Sequence, residues 1–344
     1  MKTDFNIMNL VRENVKALSP YRSARDEFEG EASISLDANE NPFDHKNLNR
    51  YPDPYQRKLK QKISELKGVK ESSIFLGNGS DEAIDLLIRA FCEPREDSIL
   101  IFTPTYGMYQ ISADINAIET VEIPLTTDFQ IDVERASKID AKVTFICSPN
   151  NPTGNDMDTQ IVESILRTSN GLVIIDEAYI DFSKRKSWTE RLEEFPNLVV
   201  LQTFSKAYGM ASIRLGMAFA NEEIVSILNK IKPPYNVNGL TQNYALQALE
   251  HKEAVLSEID TILKERQWMK MALLKLKGVR KIYPSEANFL LIEIDRAKVL
   301  YQHLAEKGIV VRDRSSQVND ALRITIGTPR ENKTLIENIK AFYA

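Results

Sequence analysis

Lys206 closes an apolar run, LVVLQTFSK, and Arg214 and Gly216 follow it closely in AYGMASIRLG. A charged amine is a poor end for a buried strand unless chemistry needs it there. Four more apolar runs end in polar residues of the same kind. LVIIDEAY carries Asp176 and Tyr179, FICSPNNPTG carries Asn151, ILIFTPTY carries Tyr106, and SIFLGNGSDEA carries Gly79, Ser80 and Asp81. Each has a plain structural reading by itself: the glycine and Asn-Pro stretches make turns, a tyrosine packs, and a lysine beyond a strand is ordinarily a surface residue. Together they suit one cofactor, pyridoxal 5'-phosphate, which needs a lysine amine for its carbonyl and an acid for its ring nitrogen. Lys206 and Asp176 are the candidates for those two places. Gly79-Ser80-Asp81 opens a helical pattern whose free N–H groups suit a phosphate. Arg214 adds a charge-assisted hydrogen bond to the same phosphate. Tyr106 offers a face to the ring, and Asn151 and Tyr179 can donate to its phenolic oxygen.

These residues need elements that bring them to one edge. The runs at 73–77, 98–104, 143–149, 172–178, 198–204 and 214–220 are short, rich in Ile, Val and Phe, and end in Gly, Pro, Asn, Asp or Ser. That is the pattern of strands buried on both faces. Helical patterns such as SDEAIDLLIRAFCE lie between them. Alternating strands and helices predict an α/β fold with a mostly parallel sheet flanked by helices, and ligands of such sheets bind beyond the carboxyl ends of the strands. After about residue 240 the pattern changes to a long helical stretch followed by two strand candidates, ANFLLIEI and LRITIG. The expected organisation is a large domain over 35–250 and a smaller α+β domain over 251–344. Residues 1–34 are expected to join the smaller domain as an N-terminal arm.

The 344 residues carry 44 basic and 49 acidic side chains, a net charge of −5, which gives no basic field for nucleic acid or an anionic membrane. Cys92 and Cys147 lie in apolar contexts and read as reduced core thiols, and His45, His251 and His303 are scattered, so no metal site is expected. There is neither a signal-peptide pattern nor an apolar run of the roughly 20 residues that span a bilayer. A cytoplasmic location is the expectation.

SPNNPTG, DEAY and SKAYGMASIRLG, in this order, resemble the fold type I pyridoxal-phosphate aminotransferases. More narrowly, PYRSARDE (20–27), LDANENP (36–42), RYPDPYQ (50–56), KPPYNVN (232–238), GIVVRDR (308–314) and ALRITIG (321–327) resemble the histidinol-phosphate aminotransferase family. The matches run over nearly the whole chain. The resemblance implies ping-pong transfer of an amino group from L-histidinol phosphate to 2-oxoglutarate, giving imidazole acetol phosphate and L-glutamate. It implies that Ser205 joins Arg214 on the cofactor phosphate. It also implies a homodimer in which Tyr51 reaches the neighbouring active site. Arg323 is the matched anion-binding residue. Arg312, with Arg314 as its alternative, is the candidate second cation for the substrate phosphate, with Tyr21 as a hydroxyl donor. Asn39 is a further candidate near the substrate. Glu13 stands where the family often has proline, which leaves the path of the arm open.

Four rivals stand at this level. An aromatic amino-acid aminotransferase and a threonine-phosphate decarboxylase use the same cofactor residues. A cofactor-binding regulatory module would need an added DNA-binding domain, for which this chain has neither spare length nor basic charge. A nicotinamide dehydrogenase lacks its G-x-G-x-x-G after the first strand.

Overall fold

A computed structural model describes residues 5–21, 34, 36–44, 46 and 48–344. Residues 22–27 of PYRSARDE and His45 lie outside them. Seven strands form the larger sheet: β1 (Ile74–Asn78), β2 (Ser98–Thr103), β3 (Glu119–Pro124), β4 (Val143–Cys147), β5 (Leu172–Asp176), β6 (Leu198–Thr203) and β7 (Leu215–Ala220). Their order is β1-β7-β6-β5-β4-β2-β3. Pairing is parallel from β3 through β6, and β7 runs antiparallel to both of its neighbours.

The apolar runs are continuous because helices cover both faces. Successive residues of a strand point to opposite sides, and the core divides accordingly. Phe75, Leu172, Ile174, Val199 and Leu201 pack on one side. Ile74, Leu76, Val173, Ile175 and Val200 pack on the other. The same alternation puts Asp176 on the side of Leu172 and Ile174.

β3 is an edge strand that the sequence pattern does not announce. Only Ile123 is buried in ETVEIP, so the segment carries the polar residues of a sheet margin. The smaller sheet is antiparallel, in the order β10-β11-β9-β8, from β8 (Val279–Ile282), β9 (Phe289–Ile294), β10 (Arg312–Asp313) and β11 (Ala321–Thr325). β9 and β11 match the two expected strands. β8 and β10 escape the pattern because one is half-exposed and charged and the other is two residues long.

The N-terminal segment departs from its expected place against the smaller domain. Ile7, Val11 and Val15, spaced four apart, form a buried stripe on the helices of the larger sheet, beside Leu87, Phe91 and Leu228. The Arg12 amide donates to the Ala90 carbonyl at 3.0 Å, and Lys230 Nζ donates to the Lys16 carbonyl at 2.8 Å. Arg12 also pairs with the partly exposed Glu93 at 3.0 Å. Burying three aliphatic side chains contributes about 1.5–3 kcal/mol each, against about 1 kcal/mol or less for a surface ion pair. The apolar stripe therefore fixes the segment. Glu13 begins the short Glu13–Ala17 helix, a position that tolerates proline equally well.

Candidate active site

Because β1, β2, β4, β5 and β6 run the same way, their carboxyl ends meet at one edge. β7 runs back from that edge, so Arg214, just before its start, arrives there too. The result is a cleft of about 520 Å³ between the larger sheet and the β10–β11 hairpin. Gly79, Ser80, Asp81, Tyr106, Asn151 and Asp176 line it, as do Tyr179, Ser205, Lys206, Arg214, Arg312 and Arg323. Arg314 lines it as well. Three expected residues do not. Tyr21 is 72 % exposed, and Tyr51 and Asn39 line a separate depression with Asn238 and Leu240. Tyr51 stacks there on Tyr235 with ring centroids 4.5 Å apart.

At one end of the cleft the Ser80–Phe91 helix starts without a side-chain cap, at Gly79 with φ +74°. Its first N–H groups are therefore open to an anion. The Gly79 amide donates to the Arg214 carbonyl at 2.9 Å, which ties the helix start to the arginine. A Cβ on Gly79 would stand 2.7 Å from Arg214 Nη2. The Asp81 carboxylate accepts from Arg214 Nη2 at 3.4 Å and from the Tyr106 hydroxyl at 3.0 Å. Asp81 thus offers a phosphate its amide, while its side chain orients two neighbours. Ser205 is placed by Thr203, whose Oγ1 donates to Ser205 Oγ at 3.0 Å. Helix start, guanidinium and hydroxyls form a donor set that fits a phosphate monoester.

Gly216 makes this end of the cleft possible. It pairs with Gly77 in β1, and a Cβ there would lie 2.1 Å from the Ser80 amide nitrogen. Gly216→Ala must push the helix start away. It is expected to cost about 1–3 kcal/mol of stability, as overpacking does, read by denaturant unfolding.

At the other end Asp176 is 3 % exposed. Burial pushes its carboxyl proton affinity up; the Tyr109 hydroxyl and the Ala178 amide, donating at 2.6 Å and 3.0 Å, pull it back. Tyr109 is a site residue that sequence reasoning missed. Tyr106 lies in the loop before the helix that carries Tyr109, and the two rings meet edge-on at 5.5 Å.

Between the two ends stands Lys206, its Nζ 5.6 Å from the centroid of the Tyr179 ring. Partial burial lowers its pKa most, and Arg323 lowers it further, against the pull of Asp176 and Asp81. A lysine in this setting gives up its proton more readily than one in water. Asn151 Oδ1 accepts from Arg323 Nη1, which leaves the Asn151 amide Nδ2 as its donor toward the cleft. The Tyr179 hydroxyl has no hydrogen-bond partner among the described residues, and burial keeps it protonated.

The opposite wall is cationic. Arg312 lies across from Arg323 in the β10–β11 register, and Arg314 is two residues beyond Arg312, on the same side of the hairpin. Desolvation and mutual repulsion lower the pKa of Arg314 and Arg323. None of the three has a carboxylate partner among the described residues. The cleft can therefore hold a phosphate at one end, a protonated ring nitrogen at Asp176, a carbonyl near Lys206, and a second anion on the arginines.

Residues 31–339 match the family model "Aminotransferase class I and II". The chain is 54% identical over 344 residues to the histidinol-phosphate aminotransferase of Christiangramia forsetii, covering 98% of each. It is 52% identical over 344 residues to that of Flavobacterium johnsoniae, again with 98% of each covered. Among solved structures, the histidinol-phosphate aminotransferase from Clostridium acetobutylicum superposes with a TM-score of 0.80 at 26% identity, covering 87% of this chain and 92% of the other.

Proposed function

The chain belongs to the class I and II aminotransferase family, and we propose that it moves an amino group between L-histidinol phosphate and 2-oxoglutarate, giving imidazole acetol phosphate and L-glutamate. Its cofactor is pyridoxal 5'-phosphate and its pathway is histidine biosynthesis. The observation that carries the substrate assignment is the arginine wall. Three guanidiniums with no acidic partner among the described residues line the cleft with the lysine, an arrangement that suits a phosphate dianion better than an apolar aromatic side chain.

When bound, pyridoxal phosphate supplies a carbonyl that condenses with amines and a ring that withdraws electron density from the substrate Cα. This chain's residues have the remaining tasks. The Ser80–Phe91 helix start, Ser205 and Arg214 bind the cofactor phosphate. Asp176 accepts a hydrogen bond from the ring nitrogen and holds it protonated. Asn151 Nδ2 and the Tyr179 hydroxyl would donate to the phenolic oxygen, and Tyr106 would offer its ring to the cofactor. Lys206 Nζ takes the proton from the substrate Cα and later returns it, as base and then acid. Its lowered pKa helps the first role at neutral pH. Arg323 and Arg312 bind the substrate phosphate in one half-reaction, and Arg323 binds a carboxylate of glutamate in the other.

The reading includes a homodimer in which Tyr51 serves the neighbouring cleft. Its support is exposed apolar surface beside Tyr51, where Leu48 and Leu240 line the same depression and are more than half exposed. Tyr21 and Asn39 are kept as candidates for the substrate on the family resemblance. Among the described residues no helix is long and apolar enough to cross a membrane.

Glutamate formation from histidinol phosphate and 2-oxoglutarate tests the assignment, with phenylalanine as the competing donor. The expected kcat/KM is far higher for histidinol phosphate; parity would leave an aromatic aminotransferase. Arg312→Ala is expected to lower kcat/KM for histidinol phosphate by about tenfold or more, the value of one charge-assisted hydrogen bond. Glutamate should lose much less. Equal losses would remove Arg312 from the phosphate site.

A further inference from the structure

We propose that Tyr109 is a positioning residue for Asp176: its hydroxyl donates to Oδ2, holds the carboxylate in its ionised form, and leaves Oδ1 as the acceptor for the ring nitrogen of the cofactor. The inference rests on the cofactor reading above.

Asp176 is a carboxylate nearly without water. Its only hydrogen-bond donors among the described residues are the Tyr109 hydroxyl, at 2.6 Å from Oδ2, and the Ala178 amide, at 3.0 Å from Oδ1. The shorter of the two has the length of a charge-assisted O–H···O⁻ bond. Tyr109 is fully buried and cannot be replaced by solvent. Its ring is fixed on two sides, stacked on Phe145 at 4.6 Å and 10°, and edge-on to Tyr106 at 5.5 Å and 85°. Asp176 is fixed from the backbone, paired with Cys147 across β4–β5, while its carbonyl accepts from the Ser148 amide at 2.9 Å. Donor and acceptor are thus both immobile, and the proton lies between two groups that cannot turn away.

The neighbours settle which partner holds the proton. Titratable groups reach Asp176 from each element packed around it. Tyr109 comes from the Met108–Ile115 helix, Cys147 from β4, Tyr106 from the loop after β2, Tyr179 from the turn after β5, Asp81 from the Ser80–Phe91 helix, and Lys206 from the segment after β6. Burial pushes the Tyr109 and Tyr106 phenols, the Cys147 thiol and the Tyr179 phenol well up, so all four stay neutral at working pH. Asp81 and Lys206 are the charged ones, and their effects on Asp176 oppose each other. Tyr109 is therefore a permanent donor. Its loss would leave one amide against the desolvation that favours a protonated Asp176. A protonated Asp176 offers no anion to a protonated ring nitrogen.

The test compares holoenzyme of the wild type and Tyr109→Phe, a change that keeps both ring contacts. At pH 7 the expected kcat of the variant is about tenfold to a hundredfold lower, the worth of one hydrogen bond to a charged group. The KM for histidinol phosphate should stay within about threefold, since the arginine wall is untouched. The acid limb of kcat should move to higher pH, so that the gap narrows as pH rises. Equilibrium dialysis should find weaker pyridoxal phosphate binding, with a melting temperature close to the wild type. In an Asp176→Asn background, Tyr109→Phe should add little, because the hydroxyl acts through the carboxylate. A merely structural role predicts an unmoved acid limb and additive losses in the double variant, and that result overturns the proposal. A wild type that takes up no pyridoxal phosphate overturns both the proposal and the reading beneath it. A wild type that binds it, with an indistinguishable Tyr109→Phe, overturns the proposal alone.

Discussion

Lys206→Ala is expected to reduce turnover by about 10⁴-fold or more while leaving the cofactor bound without a covalent link. Two tasks depend on one amine. In the proposed mechanism it condenses with the cofactor carbonyl and also moves the substrate Cα proton. The described residues of the cleft offer no replacement. The Tyr179 phenol is the neighbour of the amine, and burial holds its proton too tightly for a base. No histidine among the described residues lines the cleft. In the proposed mechanism the phosphate end depends on Gly79, Ser205 and Arg214 rather than on the lysine, so cofactor affinity should fall without vanishing. Borohydride reduction and mass spectrometry should find an adduct on the wild type and none on the variant. A variant with appreciable activity, or with an adduct elsewhere, would refute the role.

Asp176→Asn has the second largest expected effect: a fall in kcat of about 10²–10³-fold, the scale of removing one preorganised electrostatic group from an active site. The change is isosteric and keeps a polar group beside the Tyr109 hydroxyl and the Ala178 amide. What it removes is charge. In a site 3 % exposed the charge costs desolvation in the absence of a cation, so the variant should melt at the same temperature or higher. Lower activity with undiminished stability marks a group kept for function rather than for folding. Calorimetry on the cofactor-free protein beside kcat measures both. A variant that loses stability and activity in proportion would make Asp176 a structural residue.

Much of this site was legible in the sequence for one physical reason. Strands buried on both faces are continuous apolar runs, so a polar residue at the end of each run is conspicuous, and a parallel sheet brings those ends to one edge. Asp176, Asn151 and Lys206 were legible on that ground. Other features lacked a local signal. Tyr109 lies in a helical stretch where a tyrosine looks like packing, and only the fold brings its hydroxyl to Asp176. β3 was hidden by its polar edge residues. The stripe of Ile7, Val11 and Val15 declares that the arm must bury a face but not which domain receives it, and the larger sheet's helices do. Arg312 and Arg314 read alike in VVRDR because they share a side of the hairpin, and both line the cleft. Tyr21, Asn39 and Tyr51 stand outside the cleft of a single chain, and the proposed homodimer is what would give Tyr51 its role.

The measurement that tests the central claim most directly is a spectral titration of the pyridoxal phosphate holoenzyme without a keto acid. L-histidinol phosphate, L-phenylalanine and L-glutamate are added separately, and the absorption band of the lysine-bound cofactor is followed. Histidinol phosphate should bleach the band at far lower concentration than phenylalanine, and glutamate should bleach it too, as the donor of the reverse half-reaction. Phenylalanine matching histidinol phosphate would contradict the substrate assignment. A protein that shows no such band after incubation with pyridoxal phosphate would contradict the cofactor and the mechanism with it.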